Sequence, residues 1–320
     1  QGDYEKMRQE GEQARALAEA LDEKAAVARA EVLLGIFALQ SGASAQAGPH
    51  LQRALALYQQ AGDLGGQATA HNSLGNAYFD QSRFTEADRA YRQAQAIFDQ
   101  LGDVYNRAIT ENNLGEIALY QGRVDAAVAY YQSALRAFEQ IGGSPFMLGI
   151  LNNNLGAAFI RRGDAAAARR HLHASQQFFE QTGGREYLPE LNRHLARAAL
   201  IAGEVEAAGG QIREALRLAR EMGMRAEEGA SLRVQGEINL QQRCLPEARA
   251  ALEDSVTILA ELGQAFELAR SRFSLARVYA ELGEPAAARA ALDQALPVFE
   301  QLEAALELQA GETLRAQLAA

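Results

Sequence analysis

The residue types that carry most covalent and metal chemistry are few in this sequence, and their spacing forms no reactive group. Five histidines and one cysteine occur among 320 residues. His171 and His173 are two positions apart, so on a helix they point to different sides and do not form a metal-binding pair. Cys244 has no neighbouring base that would generate a thiolate. We therefore expect no catalytic residue, no metal site and no cofactor.

Composition and charge exclude further classes of protein. The chain has 31 Lys and Arg against 41 Asp and Glu, a formal net charge of −10, and 48% of its residues are hydrophobic. This apolar content supports a buried core and is not typical of disorder. An acidic chain is poorly suited to nucleic acid, and no apolar run reaches the about 18 residues of a membrane span. Since no leader segment is visible, we expect a cytoplasmic protein without a nucleic-acid or membrane partner.

A 40-residue repeat organises the whole sequence. Five columns of similar residues recur at this spacing, with one step of 41. Two columns hold small residues, one holds the turn within a unit, one holds bulky residues, and one holds the glycine that ends the unit. Their first members are Ala47, Gly35, Gly42, Tyr58 and Gly62.

Each unit is predicted to be a pair of helices. Small residues let two helix axes cross closely, and glycine supplies the left-handed conformation that ends a helix. In the second 40-residue repeat the pattern predicts helices over about 66–81 and 84–101. The 41-residue step falls at 143–150, where Pro145 indicates a longer loop. Pro297 lies inside the second helix of the last repeat and is expected to kink it.

The order Leu-Gly, alanine and aromatic residue, as in Leu74-Gly75, Ala87 and Phe98, resembles the tetratricopeptide repeat in a 40-residue form. The resemblance implies an all-α fold: a right-handed α-α superhelix of seven helical hairpins with an extra helix at each end. We expect a single domain over 1–320. Its segments are a leading helix at 1–24, repeats at 25–64, 65–104, 105–144, 145–185, 186–225, 226–265 and 266–302, and a capping helix at 303–320.

The two ends of the array differ from the repeats. Residues 3–23 match the second helix of a hairpin without a first helix before it, which predicts that the chain is a fragment of a longer protein. The alternative is that this helix is an N-terminal cap. Its uncovered face also gives a route to a homodimer through terminal helices. In the sixth repeat, Arg243 replaces the glycine of the turn between the two helices.

By the pattern of tetratricopeptide repeats, the first helix of each hairpin lines an inner groove, and this resemblance assigns the groove positions. They are Asn72, Asn76 and Phe79; Asn112, Glu116 and Tyr120; Asn153 and Arg161; Arg193 and Arg197; Arg233 and Glu237; and Arg270, Phe273 and Arg277.

Two chemical features distinguish this predicted groove. Asn72, Asn112 and Asn153 form a ladder of side chains that can both donate to and accept from an extended peptide backbone. The arginines of the later repeats offer planar forks suited to carboxylate or phosphate. The groove is therefore predicted to bind a protein or peptide, including one with an acidic segment. The alternative is that these side chains pair with Glu116 and Glu237 or face water.

Units ending in Leu-Gly-Asp, as at Leu101-Gly102-Asp103, resemble the sensor arrays of bacterial STAND signalling ATPases and maltose-regulator-like transcription regulators. They are similar also to kinesin light chain, Pins and Rap-type peptide receptors. The resemblance implies a non-catalytic protein- or peptide-binding scaffold that senses a partner in bacterial signalling or transcription regulation. The alternative is a small-molecule sensor, with an oligosaccharide or nucleotide inside the superhelix. An enzyme is the third and least supported class.

Overall fold

The computed structural model describes residues 2–319, and within them every regular element is helical. The helices are α1 (Gly2–Ala20), α2 (Lys24–Gln40), α3 (Ser44–Ala61), α4 (Leu64–Asp80), α5 (Phe84–Leu101), α6 (Val104–Tyr120), α7 (Val124–Gln140), α8 (Pro145–Arg162), α9 (Ala165–Thr182), α10 (Leu188–Ile201), α11 (Val205–Glu221), α12 (Arg225–Gln241), α13 (Leu245–Glu261), α14 (Ala265–Glu281), α15 (Pro285–Gln301) and α16 (Ala305–Gln317). A single 3-10 turn, Arg185–Tyr187, precedes α10. The all-α class and the series of helical hairpins are thus confirmed.

The predicted helix ends coincide with residues of positive φ. The glycines that end each second helix, such as Gly62 at +68° and Gly263 at +65°, are all left-handed. In the turn column, Ser82 and Arg243 adopt φ of +59° and +63° where the other repeats have glycine. Because a side chain disfavours this conformation by about 1–2 kcal/mol, these two turns are held by the packing of the flanking helices.

Small residues set the close approach of the two helices in a hairpin. The alanine column is fully buried in every repeat, at Ala47, Ala87, Ala127, Ala168, Ala208, Ala248 and Ala288. At Gly75 an added Cβ would lie 2.4 Å from the Tyr91 ring, and at Gly156 it would lie 2.4 Å from Leu172 Cδ2. A larger residue at either crossing would require the facing side chain or its helix to shift.

The longer link predicted at the 41-residue step is present, but the placement of Pro145 within it is wrong. Four residues, 141–144, separate α7 from α8, where two separate α3 from α4 and α5 from α6, and Pro145 is the first residue of α8. Proline suits the first turn of a helix because its φ is already helical and its missing N–H would have no partner there. Pro297 lies within α15 (Pro285–Gln301), and the kink expected there stays a prediction.

Contacts divide the chain into two compact units. The first contains Gln1–Ile117 and Arg136–Ile141, and the second contains Ala118–Leu135 and Gly142–Ala320. The assignment of one continuous domain stays a prediction. In the first unit, α2 packs on α3 and α4 on α5; in the second, α8 packs on α9, α10 on α11, α12 on α13 and α14 on α15.

The first helices of successive hairpins form one layer in the second unit. There α10 contacts both α8 and α12, α12 contacts α14, and α14 contacts α16. This layer presents the predicted groove residues of the later repeats. None of the helices between residues 2 and 319 is long and apolar enough to cross a membrane.

Candidate functional site

In the first unit the predicted asparagines make hydrogen bonds between helices. Asn76 Oδ1 accepts from the Tyr91 hydroxyl at 2.7 Å and from Asn113 Nδ2 at 3.4 Å. Asn72 Oδ1 accepts from Thr110 Oγ1 at 3.2 Å. These amides thus tie α4 to α5 and α6, and their carbonyl oxygens already have protein donors.

The other predicted residues of the first unit are half-buried. The rings of Phe79 and Phe84 lie 5.4 Å apart, which joins the end of α4 to the start of α5. Asn112 Nδ2 donates to Asn113 Oδ1 at 3.4 Å. Glu116 carries a charge that helps raise the pKa of the Tyr91 hydroxyl, after the larger effect of burial.

In the second unit, predicted groove residues from four helices line one cavity of about 300 Å³. α8, α10, α12 and α14 contribute them, and α16 covers one side with Leu306, Glu307 and Ala310. The predicted residues that meet there are Arg161, Arg197, Arg233, Glu237, Arg270, Phe273 and Arg277.

The 40-residue period aligns these side chains in rows across the helices. Arg197, Glu237 and Arg277 occupy the same position in three successive repeats, so they form a row across α10, α12 and α14. Arg193 and Arg233 form a second row, one helical turn earlier. Basic side chains of different repeats therefore converge although they are far apart in sequence.

Arg193 and Arg233 share a pairing rule that the sequence analysis missed. Arg193 Nε donates to Glu227 Oε1 at 2.5 Å, and Arg233 Nη2 donates to Glu267 Oε2 at 2.7 Å. In both pairs the glutamate follows the arginine by 34 residues and lies in the first turn of the next inner helix. For Arg193 and Arg233, the structure thus shows pairing with neighbouring glutamates.

The signal for this rule is visible in the sequence. Glu227, Glu267 and Glu307 recur at 40-residue spacing, as the other columns do. By the same 34-residue spacing, the partner of Glu307 would be residue 273, but this residue is a phenylalanine. Glu307 instead accepts from Arg161 Nη1 at 2.7 Å and Nη2 at 2.8 Å, and it lies 3.7 Å from Arg270 Nε.

Burial and charge shift the acidities in this cluster. Burial alone would raise the pKa of the Glu237 carboxyl, but Arg233, Arg197 and Arg270 outweigh it and lower that pKa to about 2. The pKa of Glu267 is likewise held well below its usual value, against burial, by Arg270 and Arg233. Both glutamates therefore stay ionised at neutral pH.

Two arginines that line the cavity differ from the others in having no acidic partner among the described residues. Within the described part of the chain, Arg197 and Arg277 have no hydrogen bond and no carboxylate within 4 Å. Arg277 is exposed, whereas Arg197 is partly buried on α10. Burial, followed by the charges of Arg270 and Arg233, lowers the pKa of the Arg197 guanidinium to about 9.

Asn153 lies inside the protein and not on an open face. It is 3% exposed, and its Oδ1 is 3.1 Å from Nδ1 of the buried His194. Burial and the neighbouring Arg193 and Arg197 hold the pKa of His194 well below its usual value, so the ring is neutral and donates through Nδ1. Asn153 thus joins α8 to α10, and its Oδ1 already has a donor.

Helix α16 and the end of α6 were missed as neighbours of the cavity. The Tyr120 ring lies 4.9 Å from Phe266, and Gln121 Nε2 donates to Glu303 Oε2 at 2.6 Å. An added Cβ at Gly122 would lie 2.9 Å from Leu306. The predicted residue Tyr120 therefore packs against the last repeat, and the two residues after it contact the segment that leads into α16.

Tandem hairpins with a charged inner cavity define a helical repeat protein. The model of the tetratricopeptide repeat family matches residues 66–140 and 227–301. These two segments contain tetratricopeptide repeats, as the columns of the sequence indicate. No protein of curated function matches the sequence significantly.

Several solved structures have a similar fold. A Rap protein complexed with competence and sporulation factor has a TM-score of 0.68 at 15% identity, over 99% of this chain and 97% of that one. NprR in complex with its cognate peptide NprX has a TM-score of 0.66 at 14% identity, over 83% and 79%. A STAND protein with a tetratricopeptide repeat sensor from Pyrococcus horikoshii has a TM-score of 0.59 at 14% identity, over 90% of this chain and 42% of that one.

Proposed function

We propose that this chain is a non-catalytic scaffold that binds a protein or peptide through the inner layer of its second unit. The observation that carries the proposal is the convergence of predicted groove residues on one cavity with two unpaired arginines. Cavities of this size accept a few side chains or a small ligand. The complexes of Rap with competence and sporulation factor and of NprR with its cognate peptide NprX, which have a similar fold, support such a role.

The regulatory setting is part of the same proposal. A tetratricopeptide repeat sensor occurs in the STAND protein whose structure resembles this chain. We place this chain in the same kind of role, as the sensing part of a bacterial signalling or transcription-regulatory protein. A partner bound on α10, α12 and α14 would change the environment of α16, which covers the cavity.

Peptide selection tests this function directly. A random peptide library would be selected on the purified chain, and the binding of individual peptides would be measured by fluorescence polarisation. The Arg277→Glu variant should lose the selected peptides, because a cavity cation becomes an anion. Arg213→Glu is the matched control, since it makes the same charge change at an exposed arginine of α11. Equal binding by wild type and Arg277→Glu would place the peptide site elsewhere and contradict the proposal.

A small-molecule sensor is the second candidate, and the cover provided by α16 favours it. Leu306 and Ala310 of α16, with Ile160 and Phe273, give the cavity apolar walls beside its charges. This mixture of apolar walls and few polar groups is typical of small-ligand sites. A melting-temperature screen with nucleotides and oligosaccharides tests it, because a ligand that binds only the folded state raises the melting temperature.

A further inference from the structure

Pairs of aromatic rings recur in three repeats, and the pair is incomplete in the first repeat. In the third, fourth and seventh repeats, the second residue of the first helix carries a ring that packs on the aromatic residue of the second helix. The pairs are Tyr105 with Phe138, at 5.3 Å between ring centroids, Phe146 with Phe179, at 6.2 Å, and Phe266 with Phe299, at 6.2 Å. At such distances two rings attract each other beyond their apolar burial. In the first repeat the same columns hold Ala25 and Tyr58, so one ring of the pair is missing.

The seventh repeat shows which other group belongs to this arrangement. Arg270 lies one helical turn after Phe266 on α14, and its guanidinium carbon is 5.6 Å from the centroid of the Phe266 ring. The face of an aromatic ring attracts such a cation. The Phe266 ring thus has a cation on α14 and the Phe299 ring on α15 as neighbours. Arg29 occupies the column of Arg270 in the first repeat, so both neighbours are present there without the ring between the columns.

A cavity of about 420 Å³ lies beside Tyr58, and we call it the ring slot. Ala25, Arg29 and Leu33 of α2 line it together with Tyr58 of α3. The Tyr58 side chain is held in place by Gly66 of α4, where an added Cβ would overlap its ring. Burial is the main cause of the raised pKa of the Tyr58 hydroxyl, and the nearby charge of Arg29 opposes it. Leu33 is 48% exposed, so the ring slot opens to solvent.

The walls of the ring slot favour an aromatic group over other groups. Val32 and Leu33 provide apolar surface, and Arg29 provides a cation to which an aliphatic group offers no attraction. An anion is disfavoured because the carboxylate of Asp63 lines the same cavity. A ring carries no net charge and still attracts the guanidinium through its face, so it satisfies both conditions.

The surroundings of the ring slot indicate the source of this ring. Arg29, Asp63 and Thr69 line the slot and are exposed, so they form a polar rim around the apolar surface. An apolar pocket with a polar rim is the usual setting of an aromatic anchor at a protein interface. The group that fills the equivalent position in the seventh repeat is likewise a side chain.

We infer that the ring slot is an interaction site for an aromatic side chain of a partner protein, which takes the position that Phe266 fills in the seventh repeat. The small side chain of Ala25 keeps this position open. The site belongs to the first unit and goes beyond the proposed function, which concerns the cavity of the second unit.

The test uses the full chain with 13C-labelled alanine and leucine methyl groups, observed by NMR. The probes are a capped Ser-Phe-Ser peptide, its counterpart with cyclohexylalanine in place of phenylalanine, and free p-cresol. Ala25→Phe supplies the missing ring from within the chain, and Arg29→Gln removes the cation. Ala45→Phe is the matched control, because Ala45 is exposed and is the second residue of α3, as Ala25 is of α2. Thermal melting follows the stability of each variant.

We expect the phenylalanine peptide to shift the methyl signals of Ala25 and Leu33 through its ring current. It should bind about tenfold more tightly than the cyclohexylalanine peptide, because only the aromatic ring gains a cation–π and a ring–ring contact. Ala25→Phe should abolish this binding and raise the melting temperature by about 1–2 °C, since its own ring packs on Tyr58. Arg29→Gln should reduce the preference for the aromatic ring, and Ala45→Phe should bind and melt as wild type.

Several results would overturn the inference. Equal binding of the two peptides, or binding that survives Ala25→Phe, would show that the ring slot does not recognise a ring. A lower melting temperature of Ala25→Phe would show that this column does not accept a ring in the first repeat. Binding of p-cresol without binding of the phenylalanine peptide would contradict a partner side chain and indicate a small aromatic ligand instead. Methyl signals that no probe moves would exclude the site altogether.

Discussion

Replacing Arg197 by glutamine should make the protein more stable, which is unusual for a partly buried residue in a repeat protein. Arg197 has no carboxylate within 4 Å, and its pKa falls from the usual value of an arginine to about 9 in the folded chain. At about 1.4 kcal/mol per pKa unit, that fall corresponds to a penalty of at most about 5 kcal/mol. Partial contact with solvent and the lost packing of the aliphatic stem reduce the net gain to about 2 kcal/mol.

Calorimetry would measure this gain. With an unfolding entropy of about 2 cal/mol/K per residue, a gain of about 2 kcal/mol raises the melting temperature of a 320-residue chain by about 3 °C. The opposite result is expected for Arg161→Gln, which leaves Glu307 without its main partner and should cost about 3–5 kcal/mol. A melting temperature that falls in both variants would refute the reasoning, because Arg197 would then stabilise the fold as Arg161 does.

The pH dependence gives a second check on the same prediction. Below pH 9 both the folded and the unfolded chain carry the Arg197 proton, so the penalty is fully present. Above pH 9 the folded chain releases the proton before the unfolded chain, whose arginine has the usual higher pKa, so the free energy of unfolding rises with pH. The difference in stability between Arg197→Gln and wild type should therefore be constant at neutral pH and shrink above pH 9.

Three further predictions follow from the packing and the charges. Gly156→Ala should destabilise the protein by about 1–3 kcal/mol in urea denaturation, because the new Cβ would lie 2.4 Å from Leu172, whereas Gly48→Ala, with no atom within 4 Å, should be neutral or stabilising. The free energy of unfolding should fall as the pH drops from 4.5 to about 2, because Glu237 takes up a proton in this range when the chain is unfolded but not when it is folded. In Glu237→Gln, the free energy of unfolding should depend less on pH over the same range. Arg243→Gly should raise the free energy of unfolding by about 1 kcal/mol because its φ is +63°, and an unchanged or lower value would show that its ion pair with Glu281 outweighs the backbone strain.

Features that repeat every 40 residues could be predicted from this sequence. The turn columns predicted helix ends because positive φ strongly favours glycine, and the alanine column predicted the helix crossings because only small side chains fit there. The link between α7 and α8 is longer, as predicted, but Pro145 was wrongly assigned to it because proline also suits the first turn of a helix.

Features that depend on contacts between distant repeats could not be predicted in the same way. Arg161 and Glu307 are 146 residues apart, and nothing in a periodic pattern indicates which two turns of the array meet. Arg197, Arg233 and Arg277 line one cavity, but the partners of Arg193 and Arg233 were missed because each glutamate lies on the following helix. Asn153 was assigned to the groove by its column, yet its neighbour His194 buries it.

The pairing of Arg161 with Glu307 sets a limit on how this array can grow or shrink. Repeat proteins change length by gaining or losing whole units, and links between adjacent units, such as Arg193 with Glu227, survive such events because both partners shift together. The link between Arg161 and Glu307 spans three whole repeats, so one added or deleted hairpin in that stretch would separate the two charges. The ion pair of Arg161 with Glu307 therefore forms only at the present number of hairpins between α8 and α16, and a change in that number would leave two partly buried charges without each other.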